Sequence, residues 1–254
     1  MANIERMGEI KNFCLYYGYG KEQELANYDL AIVEPNGQTN DSLKYIQGKG
    51  TLVIAYCSAL EVTPDLEFMK FAGEHDFLHQ QGQRLVNTEY GTYLADLSSK
   101  KWLNYLLHQA GKLVINQGYD GLFLDTLGDL EWEILSPETI QKQILAAAHL
   151  LAELRQRLPR AILIQNNGLE RLLPYTKQYI DGLCWENPPV TPASTNWNSN
   201  LASYLSQIQR EQNVRILVLG EKLTAQRSER IAREQGFLYY AAPGGYIEAI
   251  THLE

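Results

Sequence analysis

An aspartate, an apolar run and a second carboxylate at the same offset occur three times in this chain. The copies are Asp29-Leu30-Ala31-Ile32-Val33-Glu34, Asp120-Gly121-Leu122-Phe123-Leu124-Asp125 and Asp181-Gly182-Leu183-Cys184-Trp185-Glu186. A short apolar run bounded by turn residues reads as a strand buried on both faces, as in a parallel sheet. A carboxylate ending such a strand is costly to bury unless it is paired or used. Three in one register predict an acidic site at one end of a barrel, the end where enzymes of that architecture keep their chemistry.

Five further apolar runs complete a set of eight: Phe13–Tyr17, Leu52–Cys57, Ala161–Asn166, Arg215–Leu219 and Phe237–Ala241, besides Leu30–Glu34, Gly121–Asp125 and Gly182–Glu186. Helical patterns separate most of them. Lys100–Asn116 follows Ser98 as a candidate N-cap and stops before Gly118, which is expected in a left-handed conformation. Pro137–Leu158 follows Ser136, with proline at the first helical position. Leu201–Glu211 and Ala225–Glu234 repeat the pattern, the latter stopped by Gly236. Strands alternating with helices imply parallel βα units, and eight of them imply a single-domain α/β (β/α)8 TIM barrel over residues 1–254. Phe68–Asp96 fits least well and reads as an irregular insertion with a short strand at Tyr93–Asp96. Asp120 is expected to bond backbone amides in its turn and to face away from the site.

The net charge of -8 disfavours nucleic acid and anionic membranes as partners and suits a neutral or cationic substrate. The three cysteines, Cys14, Cys57 and Cys184, fall inside strand runs and read as small core residues. No apolar run is long enough to span a membrane, and Met1–Lys11 lacks the apolar stretch of a signal peptide. The chain as given therefore reads as cytoplasmic, or as secreted if a leader has been removed. Its oligomeric state is not legible.

Counting places the three repeated phrases on strands two, four and six. Inward side chains of such a barrel stack in layers drawn from alternate strands. Aligning Gly236 with Gly121 and Gly182 adds the eighth strand, so the expected layer is Glu34, Asp125, Glu186 and Tyr240. Neighbouring strands lie about 4.8 Å apart, so ends two strands apart are separated by roughly 9–10 Å, less where side chains point inward. Asp125 and Glu186 can thus span the roughly 5–10 Å over which two carboxylates hydrolyse a glycosidic bond. Aromatic residues gather at the same ends, among them Tyr17, Tyr56, Trp132, Trp185, Trp197 and Tyr240. Sugar rings pack their C–H faces on such rings, and Ser58 and Asn166 offer partners for their hydroxyls. Trp132 and Trp197, in predicted loops, are the stacking candidates.

The segment Gly118-Tyr119-Asp120-Gly121-Leu122-Phe123-Leu124-Asp125-Thr126 resembles the signature strand of the family 114 glycoside hydrolases, the endo-α-1,4-polygalactosaminidase-like barrels. Ile54-Ala55-Tyr56-Cys57-Ser58-Ala59-Leu60-Glu61 resembles that family's third strand. Tyr93-Leu94-Ala95-Asp96-Leu97 with Trp102 resembles the element before the signature helix, and the strand ending at Glu186 resembles the one carrying the second acid. Gln165-Asn166-Asn167 stands where a lysine–asparagine pair is expected. The resemblance implies an endo-acting hydrolase of amino-sugar polymers, with Asp125 as nucleophile or base and Glu186 as proton donor. A cationic galactosamine chain would suit a mouth formed by Glu34, Glu61, Asp125, Asp129 and Glu186.

Two other readings compete. A metal-assisted lyase or isomerase would need a lysine or histidine base at a strand end, and Lys222 is the one candidate near such an end. Gly244-Gly245 after the eighth strand is a weak phosphate-binding signal opposed by Glu221. No metal or cofactor is therefore expected. A glycan-binding barrel without turnover would use the same aromatics, and the presence of both acids favours the hydrolase.

Overall fold

The computed structural model describes residues 3–132, 135–189, 191, 194–221, 224–242 and 245–251. Eight parallel strands form one sheet in chain order: β1 (Phe13–Tyr16), β2 (Leu30–Val33), β3 (Leu52–Ser58), β4 (Gly121–Asp125), β5 (Ile162–Asn166), β6 (Gly182–Glu186), β7 (Arg215–Gly220) and β8 (Leu238–Ala241). The sheet curls into a nearly closed TIM barrel with helices between the strands. Its strands are buried almost throughout, as their uninterrupted apolar runs require.

Among the described residues β1 and β8 form no strand ladder, and side chains fill the seam there. Phe13 and Tyr240 pack at 5.8 Å between ring centroids, and Tyr28 meets Tyr240 at 6.1 Å. The segment Gly245–Thr251 bridges the seam. The Tyr246 carbonyl accepts from the Tyr17 amide at 2.7 Å, and the Thr251 hydroxyl donates to the Ala241 carbonyl at 2.5 Å.

The first aspartate of each repeated phrase braces the barrel's N-terminal end. Asp29 accepts from the Lys11 amide at 2.7 Å, Asp120 from the Val53 amide at 2.8 Å and Asp181 from the Leu163 amide at 2.8 Å. Each ties an even strand to the odd strand before it. Asp120 also takes the side-chain amides of Asn3 and Gln47, and Asp181 pairs with Arg155 at 2.6 Å. Asp120 faces away from the mouth, as expected, but its carboxylate bonds the neighbouring strand and two helices, not the amides of its own turn. Gly121 and Gly182 follow two of these aspartates because a Cβ there would strike the Ile162 backbone or the Met7 side chain. Met7, on the helix Asn3–Glu9, is fully buried beneath β6.

The helices differ from the sequence reading at their ends. Lys100–Gly111 is capped by Ser99, not Ser98, through the Trp102 amide at 3.2 Å, and continues as a π-helical turn over Lys112–Asn116. Gly118 then takes φ +86. The predicted helix 201–211 is Ser194–Gln212. Its first turns are polar and held by side chains, with Ser194 and Asn198 both donating to the Pro189 carbonyl at 2.8 Å, so apolar periodicity could not mark them. The insertion after β3 carries more strand than Tyr93–Asp96: Thr92–Leu94 pairs with Glu61–Val62 and Val86–Asn87, and His79–Gln80 pairs with Gln83–Arg84. All three cysteines are free, two fully buried and Cys57 partly so. Among the described residues no helix is long and apolar enough to cross a membrane.

Candidate active site

A cavity of about 610 Å³ opens at the C-terminal ends of the strands. Tyr17, Glu34, Tyr56, Ser58, Glu61, Asp125, Asp129, Trp132, Asn166 and Glu186 all line it. Two shallower depressions continue it. One shares Glu34, Tyr56, Ser58, Glu61 and Thr63 with the cavity and descends beside the helix Lys100–Gly111 from Trp102 to Gln117, away from the mouth. The other shares Gly128, Asp129, Trp132, Asn167 and Glu186 and runs toward Pro189 and Trp197. The cavity and the depression toward Trp197 form one groove at the mouth, meeting at Asp129 and Glu186.

Asn166 joins the two acids. Its Nδ2 donates to Asp125 Oδ1 at 2.7 Å and to Glu186 Oε2 at 2.6 Å. One nitrogen reaching both fixes those oxygens within about 5 Å of each other. The Asn166 carbonyl oxygen is left buried without a partner among the described residues, a cost of about 1–3 kcal/mol accepted to aim the NH2 group at the carboxylates. Glu186 also accepts from the Tyr246 hydroxyl. Burial and the Asp125 charge push the Glu186 carboxyl above the usual range, and the donors on Tyr246 and Asn166 pull it back in part. Burial, then Asp125, pushes the Tyr56 phenol up. Tyr17 packs edge-on against Tyr56 at 4.8 Å and Tyr246 at 5.6 Å.

A second acid pair lies beside the first. Glu61 accepts from Asn87 Nδ2 and Thr92 Oγ1, each at 2.6 Å, both from the insertion. Asp129 shares a hydrogen bond with Glu61. Burial, that bond and the charges of Glu61, Asp125 and Glu186 push it up to about 9, so it is protonated at neutral pH. Glu34 caps the turn Pro35–Gly37 through the Asn36 amide at 3.2 Å, and burial pushes its carboxyl up.

The residue after each of the three central strands is left-handed: Thr126 at φ 67, Asn167 at φ 51 and Asn187 at φ 49. Such a bend is uncommon outside glycine, and for β-branched Thr126 it is strained. Each side chain repays it locally. Thr126 Oγ1 accepts from the Leu60 amide at 2.9 Å, Asn167 Oδ1 from the Glu186 amide at 3.0 Å and Asn187 Oδ1 from the Glu221 amide at 2.9 Å. Asp125, Asn166 and Glu186 thus end their strands on turns locked to neighbouring strands or loops.

Two expected site residues fall outside the cavity. Tyr240 is buried in the seam, its hydroxyl accepting from the Thr251 amide at 3.3 Å. Strand tilt explains this. Leu124 is in line with Gln165 and Leu183, so Glu186 stands two residues further along its strand than Asp125 does along its own. Tyr240 is level with Glu186 through Leu219, and the mouth has by then moved two residues on, to Ala242. Trp185 points outward, fully buried, against Trp197 at 6.1 Å, and borders only the shallower depression. Trp197 is on a helix, not in a loop, its indole donating to Glu170 at 2.7 Å. Lys222 and Gly244 lie outside the described residues.

The sequence reading missed Tyr246, Tyr90, Asn87, Glu89 and Thr92, which also line the cavity. Asn87 and Thr92 sit on strands of two and three residues, and Glu89, Tyr90 and Tyr246 on irregular segments, none long enough to show periodicity. The one available signal was Tyr246 directly after the glycine pair.

The model of a family described as glycoside-hydrolase family GH114 matches residues 7–214. No match was found among curated proteins. Among solved structures, the glycoside hydrolase domain of PelA from Pseudomonas aeruginosa superposes with a TM-score of 0.78 at 21% identity, over 95% of this chain and 98% of that one. Ega3 from Aspergillus fumigatus, in complex with galactosamine, gives 0.68 at 13%, over 95% and 94%. The α-galactosidase TtGalA from Thermus thermophilus gives 0.58 at 14%, over 89% of this chain and 54% of that one. At these identities the likeness is one of fold.

Proposed function

The chain belongs to glycoside-hydrolase family GH114, and from that premise we propose that it cleaves amino-sugar polysaccharides internally, with Asp125 and Glu186 as the reacting pair. As a glycoside hydrolase it takes a carbohydrate substrate. The observation that carries the proposal is the single Asn166 nitrogen bonded to both acids. Nearest oxygens no more than about 5 Å apart suit a retaining pair, whose carboxyl groups stand about 5–5.5 Å apart, better than an inverting pair at about 6.5–9.5 Å.

In that reaction the Asp125 carboxylate attacks the anomeric carbon as the glycosidic C–O bond breaks. Glu186 gives its proton to the leaving oxygen. Water then attacks the glycosyl carbon, Glu186 takes the water's proton, and Asp125 is released. The raised Glu186 carboxyl suits a proton donor near neutral pH. Internal cleavage rests on the resemblance to endo-acting barrels, and the groove running on from Glu186 toward Trp197 leaves room for a longer chain. The carboxylates around it support a cationic amino sugar, and Ega3, a similar fold, is described in complex with galactosamine.

The test is a screen of partially deacetylated amino-sugar polymers and neutral glycans for reducing-end release, with Asp125→Asn as control. Release from an amino-sugar polymer by the wild type, lost by at least about a hundredfold in the control, is expected. Binding without release would favour a non-catalytic glycan-binding barrel, and cleavage confined to neutral glycans would overturn the substrate class.

A further inference from the structure

Glu186 is held by donors from two different parts of the chain. Asn166 on β5 donates to Oε2 at 2.6 Å. Tyr246 donates to Oε1 from the segment that bridges the barrel seam. Tyr246 lies beyond residue 214, outside the stretch that the family model matches. We propose that Tyr246 is a positioning residue for hydrolysis, fixing the Glu186 carboxyl in the groove and setting the pH at which it gives up its proton. The proposal rests on the reading of Glu186 as proton donor.

The two donors differ in kind. An amide NH2 only donates, so Asn166 favours the carboxylate and nothing else. A phenol donates to a carboxylate and accepts from a carboxylic acid. When Glu186 passes its proton to the leaving oxygen, the Tyr246 hydroxyl can stabilise the new charge. When Glu186 regains a proton from water, the same hydroxyl can accept. Burial and the Glu186 charge keep the phenol's own proton in place. Asp125, Asp129, Glu221, Cys184, Tyr17 and Tyr90 face this pair from the surrounding elements. The nearest charges among them, Asp125 and Glu221, favour protonated Glu186, so Tyr246 and Asn166 supply the opposing pull.

The ring is well placed to act. It packs against Tyr17 at 5.6 Å, and its backbone carbonyl is held by the Tyr17 amide at 2.7 Å. Asn187 Nδ2 stands 3.5 Å from its hydroxyl. Thr251 anchors the far end of the segment to Ala241 and Tyr240.

Tyr246→Phe removes the hydroxyl and keeps the ring. The measurement is kcat/KM against pH on partially deacetylated α-1,4-galactosamine polymer. Activity is lost at high pH as Glu186 loses its proton, so removing a donor to the carboxylate moves this basic limb upward, by about one pH unit. The kcat at the optimum should fall about tenfold or more, with KM within about twofold. Difluorotyrosine installed at position 246, a stronger donor of nearly the same shape, should move the limb downward and covers the case of a poorly folded Phe variant. Isotope-edited infrared titration of the Glu186 carboxyl in the free protein reads the same shift without substrate. Unmoved limbs, or an unmoved carboxyl titration, overturn the role of Tyr246. A wild type that cleaves no amino-sugar polymer overturns the proposed function instead, and the infrared titration still decides the role of Tyr246.

Discussion

Asp129 is held protonated by burial and by three neighbouring carboxylates, with its titration pushed from near 4 up to about 9. An acid raised on folding stabilises the fold fully below its unfolded value and progressively less as pH rises toward its folded value. Asp129→Asn keeps a donor toward Glu61 and removes the titration. Thermal unfolding should therefore show the smallest difference at about pH 3 and a growing advantage for the variant up to about pH 9; a gap independent of pH would contradict this. Glu34 behaves differently because it bonds its own turn and, among the described residues, hydrogen-bonds to neither Asp125 nor Glu186. Glu34→Gln should keep initial rates within about tenfold of wild type, whereas Glu186→Gln should lose at least about a hundredfold. The reverse order would displace Glu186 from the pair. At this scale the sequence was most legible where a residue ended a buried strand. Asp125, Glu186 and Asn166 were visible because a polar group closing an apolar run demands a reason.

The repeated phrase encodes two ends of one element. Its first aspartate braces the barrel's N-terminal end and its last carboxylate lines the mouth. Asp120→Ala would leave the Val53 amide and the Asn3 and Gln47 side chains without their acceptor. A loss of about 1–3 kcal/mol in denaturant unfolding is expected, with the mouth unchanged; full stability would show that water serves equally well. Gly118 has open space around an added Cβ, so the cost of Gly118→Val falls on the backbone alone. At φ +86 that cost should be about 1 kcal/mol or more. Strands were legible as unbroken apolar runs buried on both faces, and apolar helices because their burial repeats with a fixed period. The start of Ser194–Gln212 was not, because side-chain bonds to Pro189 hold it and leave no apolar stripe. Residues 74–94 were not, because two-residue strands carry too little pattern to read.

Barrel closure decides which residues meet at the mouth of the whole molecule. Counting strands put Glu34, Asp125 and Glu186 at one end of the barrel, where all three line the cavity. It misplaced Tyr240, because the mouth advances along the tilted strands while the pairing row does not. It missed Tyr246 because the seam between β1 and β8 is filled by an irregular segment that only the folded chain brings beside Glu186. The central claim is that Asp125 and Glu186, held by one amide, cleave an amino-sugar chain through a covalent glycosyl intermediate. Proton NMR of partially deacetylated α-1,4-galactosamine polymer during digestion tests it most directly. The first new reducing ends should carry the same anomeric configuration as the bond cleaved, and none should form with Asp125→Asn. Inverted first products, or undiminished release by that variant, would contradict the account.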